Sequence, residues 1–159
     1  ESSGSRFSMY TEAAAEAGLN METLAVSLVE ADEMTGGNGM GRRQTAKAFS
    51  EYCIKNCKAT AVFCNNEDTA LGVYEGAMAS GLRIPDDISV IGFDDIHAEF
   101  AVPSMSCISH RLDEIGRKAA FLAADLAEKK QPDENAMLIP SIYIDRNSTQ
   151  KRKAKIREK

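Results

Sequence analysis

Two apolar segments of the sequence each end in a pair of polar residues that could bind a small molecule. The pair Asn65–Asn66 follows Ala59–Cys64, and the pair Asp94–Asp95 follows Ile88–Phe93. Amide and carboxylate groups of this kind can donate to and accept from the vicinal hydroxyl groups of a ligand. Because ligands of open α/β sheets bind at the carboxyl ends of the strands, these pairs predict a binding site if both segments are strands.

The two segments and the residues between them have the pattern of one strand–helix–strand unit. Both segments are rich in β-branched and aromatic residues without polar alternation, which is typical of strands buried on both faces of a parallel sheet. Asn66 can cap the intervening helix, whose first turn carries two carboxylates at the positive helix end. Gly81 favours the end of that helix, and Pro85 prevents its continuation. The pattern predicts an α/β fold with a parallel sheet.

From the residues alone, other interpretations of these polar groups stay open. Asp94 and Asp95 could form a general acid–base pair, the acidic pocket of a phosphoacceptor domain, or a turn in which one aspartate caps and the other is solvated. Asn66 could act only as a helix cap, and Arg6 could be an exposed cation. Nucleophilic catalysis has little support, because the sequence has no Gly-x-Ser-x-Gly motif and its two histidines lie in no recognisable triad motif.

Cysteine and glycine patterns predict neither a metal nor a cofactor. Cys53 and Cys57 lie one helical turn apart and could supply two metal ligands, but neither His97 nor His110 stands at metal-motif spacing from them. We therefore expect reduced, mostly buried thiols, which fit a cytoplasmic protein. The glycine-rich segment 36–41 lacks the spacing Gly-x-Gly-x-x-Gly, so we expect a loop leading into a helix rather than a dinucleotide site.

Length and composition are those of one globular domain. The chain has 159 residues, of which 43% are hydrophobic and 27% charged, and its net charge of -5 gives no general attraction to nucleic acid or anionic membranes. No apolar run approaches the roughly 20 residues that span a bilayer, and no secretory signal is visible. The chain begins with Glu1 rather than Met, and we interpret it as a fragment or excised domain of a longer protein.

Further helices and strands are predicted on both sides of the central unit. Arg6–Ala17 has apolar residues at helical spacing and is followed by Gly18. Arg111–Lys129 has the 3–4 spacing of a long amphipathic helix. The remaining predictions are a loop at 1–5, a strand at 24–30, a helix ending near residue 56, a turn or short helix at 97–102, a strand at 105–108, closing strands at 137–139 and 142–144, and a basic tail at 151–159.

Motifs in five parts of the chain point to a known family. They are Arg6, Ala61–Gly72, Ser80–Asp95, Pro103–Gly116 and Ile144–Thr149. Together they closely resemble the carboxyl-terminal half of the effector-binding region in the lactose-repressor/galactose-repressor (LacI/GalR) family. The resemblance implies an α/β fold with an open, mostly parallel sheet flanked by helices, as one lobe of a type I periplasmic-binding-protein-like fold.

This sequence departs from the family pattern at two positions. The Asn-Asp pair of the family is Asn66–Glu67 here, and Met9 stands where the family has a glycine. The resemblance therefore assigns no role to Glu67.

The resemblance also implies a ligand site. Arg6, Asn66 and Asp94 match ligand-contacting positions of the family, and they are expected to lie together at one edge of the lobe. Ser2 and His110 are weaker candidates. The expected ligand is a sugar or sugar derivative, although the family also accommodates nucleobases and phosphoprotein partners.

By the same resemblance, residues 1–109 form the carboxyl-terminal lobe, 110–130 a helix that in the family packs in the other lobe, 131–150 the closing strands, and 151–159 a basic tail. The first lobe and the DNA-reading head are expected to lie outside this chain. Helix 110–130 should then pack back on the sheet or against a second copy, because exposure is unfavourable by about 1.5–3 kcal/mol per large apolar side chain. The lobe alone is expected to bind sugar weakly or not at all.

The interpretation that unites these observations is a non-enzymatic, effector-sensing lobe of a bacterial transcriptional regulator. Its expected partners are a small-molecule effector, a second copy in a homodimer, and operator DNA only through a head outside this chain; no cofactor or membrane is implied. Helix Thr69–Ser80 favours the homodimer, because its apolar residues lie all around and one sheet face cannot cover them. The alternative is a lobe of a periplasmic sugar-binding transport protein, which shares the fold.

Overall fold

The structure is a computed structural model that describes residues 2–18, 41–57, 59–130 and 137–151, with the side chains of 2–7, 42 and 57 left out of the description. The helices are α1 (Ser2–Glu16), α2 (Arg42–Cys57), α3 (Glu67–Ala79) and α4 (Leu112–Ala127). The strands are β1 (Ala61–Phe63), β2 (Ser89–Asp94), β3 (Ser106–Ser109) and β4 (Ile142–Ile144), and one turn of 3-10 helix spans Ala98–Phe100.

The described strands form one open sheet in the order β1-β2-β3-β4. β1 and β3 both pair with β2 in parallel, whereas β4 pairs with β3 antiparallel. α3 connects the parallel strands β1 and β2; it begins at the cap residue Asn66 and ends before Gly81, whose φ of +73° suits glycine. This open, mostly parallel sheet flanked by helices confirms the α/β fold predicted from the sequence.

Two predicted segments have different structures from those expected. α1 begins at Ser2 rather than near Arg6, because serine is favoured where a helix starts and no proline lies before Arg6 to end it. Residues 137–140 form no strand, because Pro140 has no amide hydrogen to donate to a neighbouring strand. The predicted strand 24–30, most of the glycine-rich segment 36–41, and the tail after residue 151 lie outside the described residues.

The core lies between the sheet and α3. Met105 is fully buried against Gly92 of β2, where a β-carbon would lie 2.5 Å from the methionine sulfur. Small residues on α3 let the helix approach the strands closely. The buried residues of this cluster are Cys64, Ala70, Val73, Tyr74, Val90, Ala98, Met105 and Cys107.

The other face of α3 is covered by α2. A β-carbon at Gly72 would lie 2.8 Å from the Ala46 β-carbon, and one at Gly76 would lie 2.7 Å from the Lys47 carbonyl oxygen. The two glycines therefore allow the helix backbones to come into close contact. α2 thus covers a second face of the helix, whereas Met78 is still 69% exposed. The homodimer inferred from the all-round apolar pattern of Thr69–Ser80 stays a prediction.

α4 makes no comparable contact with the sheet. None of its residues is buried, and Phe121 is 67% exposed. Of the two expected arrangements, packing back on the sheet is therefore not seen in the part of the chain that the structure describes, and packing against a second copy stays a prediction. Its large exposed apolar residues are Leu112, Ile115, Phe121 and Leu126.

The segment after β4 crosses the sheet and is fastened to β2 and β3. The buried Ser148 hydroxyl donates to the Val90 carbonyl oxygen at 2.6 Å and accepts from the Ser106 amide at 2.7 Å. The Val90 amide in turn donates to the Ser148 carbonyl at 2.9 Å. These bonds hold Arg146 beside the carboxyl end of β2.

Candidate functional site

The side chain of Asn66 caps helix α3. Its Oδ1 accepts from the Thr69 amide at 2.8 Å, and its Nδ2 donates to the Asn65 Oδ1 at 3.1 Å. The capping role considered for Asn66 is therefore present in the structure. Because an amide nitrogen carries two hydrogens, Nδ2 has a second one that the bond to Asn65 leaves available to a ligand.

Glu67 joins the start of α3 to the turn that follows β2. The side chain is buried, and its two carboxylate oxygens accept from the backbone amides of Ile96 and His97, each at 2.7 Å. The residue at which this sequence departs from the family pattern thus bridges the two polar turns. It brings the turn that contains Asn66 next to the turn that contains Asp94.

Asp94 and Asp95 both have left-handed backbone conformations, with φ of 96° and 65°. Aspartate is one of the few residues enriched in this region, which is disfavoured for most side chains. Asp94 is half-buried, and its Oδ1 lies 3.7 Å from Nε2 of His110. The consecutive left-handed residues turn the chain sharply at the edge of the sheet.

Asp95 is held inside the protein. Its Oδ1 lies 2.8 Å from a guanidinium nitrogen of Arg146, with side chains 14% and 18% exposed, respectively. It also accepts from the Cys107 thiol at 3.2 Å. Asp95 is therefore neither a solvated neighbour of Asp94 nor the second member of an accessible acid–base pair.

Arg146 and Cys107 complete this buried contact. Arg146 donates to the Met105 carbonyl oxygen at 2.8 Å and lies 3.2 Å from the Cys107 sulfur. Burial and the hydrogen bond to Asp95 raise the pKa of Cys107 to about 11, although Arg146 opposes the shift. The thiol therefore stays protonated near neutral pH and acts as a donor to the carboxylate.

Sequence reasoning assigned no site role to Arg146 or Cys107. The segment Ile144–Thr149 was recognised through the family resemblance, but the spacing of its residues did not indicate a contact with Asp95. A single arginine directly after a closing strand was the available signal. It was weak, because most arginines are exposed.

His110 lies beside Asp94 and also contacts the residue that precedes β4. Its Nδ1 is 3.1 Å from the Ser141 hydroxyl, and its ring centroid is 4.8 Å from that of Phe93, edge to face. Ser141, His110 and Asp94 thus occur in the order of a hydrolase triad. The 3.7 Å between Asp94 and His110 is too long for the hydrogen bond that orients the histidine in such a triad, so the group is not arranged for nucleophilic catalysis.

A row of aromatic rings crosses this edge of the sheet. Tyr10 of α1 stacks on Phe63 with centroids 5.7 Å apart, and Phe63 meets Phe93 edge to face at 6.4 Å. Phe63 is 37% exposed. Exposed rings beside a carboxylate are typical of small-molecule sites, where they cover the apolar face of a ligand. The sequence signal for this row was an aromatic residue close to the carboxyl end of both β1 and β2.

α1 reaches the same edge through Tyr10. Arg6 lies four residues before Tyr10 in the helix, which places its backbone on the same helix face. The side chains of Arg6 and Ser2 lie outside the described residues. Of the other predicted site residues, Asp94 and His110 lie beside each other, and Asn66 lies in the turn that Glu67 links to the one after Asp94. Convergence of Asn66 with Asp94 on one ligand stays a prediction. Convergence of Arg6 and Ser2 on this edge stays a prediction.

Within residues 2–18, 41–57, 59–130 and 137–151, no three metal-binding side chains of the described set cluster together. No described helix is both long and apolar enough to cross a membrane.

Comparisons with known proteins point to one family. The family described as "Periplasmic binding protein-like domain" matches residues 1–149. The transcriptional repressor CytR of Escherichia coli strain K12 is 37% identical over 105 residues, which are 65% of this chain and 31% of CytR. The repressor PurR of Pectobacterium carotovorum is 33% identical over 103 residues, 64% of this chain and 30% of PurR.

Solved structures agree with these sequence matches. A LacI family transcriptional regulator from Enterococcus faecium with bound ribose is 29% identical, has a TM-score of 0.60, and is matched over 67% of this chain and 40% of that chain. The chain therefore spans less than half of this regulator and less than a third of the two curated repressors. The family match, the sheet order and the motifs around Asn66 and Asp94 agree: this chain belongs to the periplasmic binding protein-like domain family, as an effector-binding domain of the LacI/GalR type.

Proposed function

We propose that this chain is the effector-sensing lobe of a bacterial transcriptional regulator and binds a sugar or sugar derivative at the carboxyl edge of its sheet. The observation that carries the proposal is the contrast between the two aspartates. Asp95 is held by Arg146, whereas the Asp94 carboxylate is half-exposed beside the aromatic row. Ribose bound to the Enterococcus faecium regulator supports a carbohydrate as the ligand class.

Each predicted contact has a chemical role in this proposal. The Asp94 carboxylate accepts from two ligand hydroxyls, and the second hydrogen of the Asn66 amide donates to a ligand oxygen. The ring of Phe63 covers the apolar face of the sugar. These pairings matter because each unpaired buried polar group destabilises a complex by about 1–3 kcal/mol. Arg6 is the proposed cationic donor, with Ser2 and His110 as further contacts.

The wider assembly is part of the same proposal. In it, the chain acts without enzymatic activity in the cytoplasm, residues 110–130 pack against a first lobe, and operator DNA is bound by a head outside these 159 residues. The exposed apolar side of α4 supports a missing packing partner. A homodimer is proposed from the family resemblance. The transport-protein alternative is less well supported, because the curated relatives are transcriptional repressors.

The test is a titration of the 159-residue chain with D-ribose, followed by backbone amide NMR signals. We expect weak binding, with a dissociation constant of about 1 mM, or roughly −4 kcal/mol, because the ligand contacts one lobe. Asp94→Asn should weaken it at least about tenfold, since hydrogen bonds to charged groups contribute about 1.5–3 kcal/mol. Asparagine keeps the shape and tolerates the left-handed backbone.

A matched control separates this effect from a general loss of negative charge. Glu99→Gln removes one exposed carboxylate from the 3-10 helix that follows this turn, and ribose affinity should stay within about twofold, because exposed charges have small effects. Equal affinity of the wild-type chain and Asp94→Asn would contradict the site assignment.

A further inference from the structure

We infer that Glu67 is a positioning residue for Asp94. By accepting hydrogen bonds from the backbone amides of Ile96 and His97, it holds the Asp94 carboxylate in place at the sheet edge, where the ligand binds. The inference rests on the proposed function, because it concerns the same site. Glu67 itself does not need to touch the ligand. Its carboxylate is buried, and both oxygens are occupied by the two amides at 2.7 Å.

The turn that carries Asp94 needs support because its conformation is unfavourable. Asp94 and Asp95 are consecutive left-handed residues, a conformation that persists only where neighbouring structure holds it. One side of the turn is held by Arg146 through the Asp95 side chain. The other side is held by Glu67 through the two amides that directly follow. Asp94 is the last residue of β2, where it pairs with Ser109, and its carboxylate lies 3.7 Å from His110. The path of the chain directly after Asp94 depends on the two supports at Asp95 and at Ile96 and His97.

Glu67 does this from the first turn of α3, where a carboxylate could instead interact only with its own helix. Its neighbour Asp68 lies in the same turn and is exposed, so it supplies the ordinary favourable charge at a helix start. Glu67 reaches out of the helix to residues almost thirty positions further along the chain. The chain therefore contains a natural pair of carboxylates that separates the positioning role from general helix electrostatics.

Glu67→Gln tests the role with almost no change of shape. One oxygen of glutamine can still accept an amide hydrogen, but its NH₂ group cannot, so one of the two amides loses its partner. We expect hydrogen exchange at Ile96 or His97 to become at least about tenfold faster, and the Asp94 amide signal to shift. The dissociation constant for D-ribose should rise about tenfold. Asp68→Asn, the control, should leave all three measurements within about twofold of wild type.

Circular dichroism checks that each variant keeps its helical content. Glu67→Asp is the second variant, because it keeps the charge while shortening the side chain by one carbon–carbon bond of about 1.5 Å. It should restore part of the amide protection and part of the ribose affinity relative to Glu67→Gln. Loss of affinity in Glu67→Asp equal to that in Glu67→Gln, with both amides protected, would overturn the inference.

Two further results distinguish failure of the inference from failure of the proposed function. If exchange accelerates in Glu67→Gln while ribose affinity is unchanged, Glu67 only stabilises the fold and the positioning role is wrong. If the wild-type chain does not bind ribose although its Ile96 and His97 amides are protected, the proposal that this lobe alone binds a carbohydrate fails, and the positioning role fails with it.

Discussion

At the scale of single residues, Asp94 and Asp95 show how chemically identical neighbours acquire opposite roles. Asp94 is the last residue of β2 and Asp95 follows it, and both have left-handed backbones. The sharp turn that these two residues make keeps Asp94 at the edge of the sheet and lets the Asp95 side chain enter the interior. Asp95 finds a guanidinium and a thiol there, which compensate for the loss of water around its charge. Asp94 keeps partial exposure and lies near His110.

This difference predicts unequal effects of the same substitution. Asp95→Ala leaves Arg146 as a mostly buried cation without its partner, which should lower the free energy of unfolding by about 3–5 kcal/mol. Asp94→Ala is the matched control, because alanine suffers the same left-handed strain at both positions, and it should lower this free energy by about 1–3 kcal/mol. Urea unfolding monitored by circular dichroism measures both. Equal losses would show that the ion pair with Arg146 contributes little.

At the scale of secondary-structure elements, the contact between α2 and α3 depends on the absence of side chains. The α3 glycines Gly72 and Gly76 face α2, where a β-carbon at Gly76 would collide with the Ser50 hydroxyl. Glycine within a helix is ordinarily destabilising relative to alanine by about 0.5–1 kcal/mol. Its presence at two positions one turn apart is explained by close packing of the helices.

Substitution of glycine by alanine should change the free energy of unfolding in opposite directions in two helices, α3 and α4. Gly76→Ala should lower the free energy of unfolding by about 1–3 kcal/mol, because the added methyl group forces α2 and α3 apart. Gly116→Ala in α4 should raise it by about 0.5–1 kcal/mol, since no heavy atom outside the helix's own nearby backbone lies within 4 Å of the new β-carbon. Urea unfolding of both variants checks the pair. Stabilisation by Gly76→Ala would contradict the close helix contact.

At the scale of the whole molecule, α4 leaves a row of apolar side chains in solvent. Phe121 is 67% and Leu126 54% exposed, and neither is covered by another described element. Burying a large apolar side chain is favourable by about 1.5–3 kcal/mol, so a second copy of the chain is an available partner when no first lobe is present. This surface adds a second structural argument for association to that of α3.

Sedimentation velocity tests whether this surface causes self-association. The wild-type chain should self-associate at high concentration, and Phe121→Lys should shift it toward monomer because a buried lysine is unfavourable without a partner. Leu138→Lys is the control: Leu138 is also exposed but lies outside α4, so association should be unchanged. A clean monomer for the wild-type chain at high concentration would show that the apolar side of α4 does not drive association.

The sequence by itself determined the elements near the site, because their signals are local. Apolar runs without alternation indicated β1 and β2, and Asn66, Gly81 and Pro85 marked the bounds of α3 between them. Parallel pairing then placed Asn66 and Asp94 at the same edge, since both follow carboxyl ends of strands. The one-lobe fold was also accessible through the family resemblance.

The tertiary structure alone decided which contacts those elements make. Periodicity showed that α3 needs two covered faces, but a local pattern cannot say whether the second partner is α2 or another molecule. Likewise, Glu67 meets Ile96 and His97, and Asp95 meets Arg146, across long separations in the chain. Such pairs depend on how strands and helices pack in three dimensions, and the sequence near each residue carries no information about its distant partner.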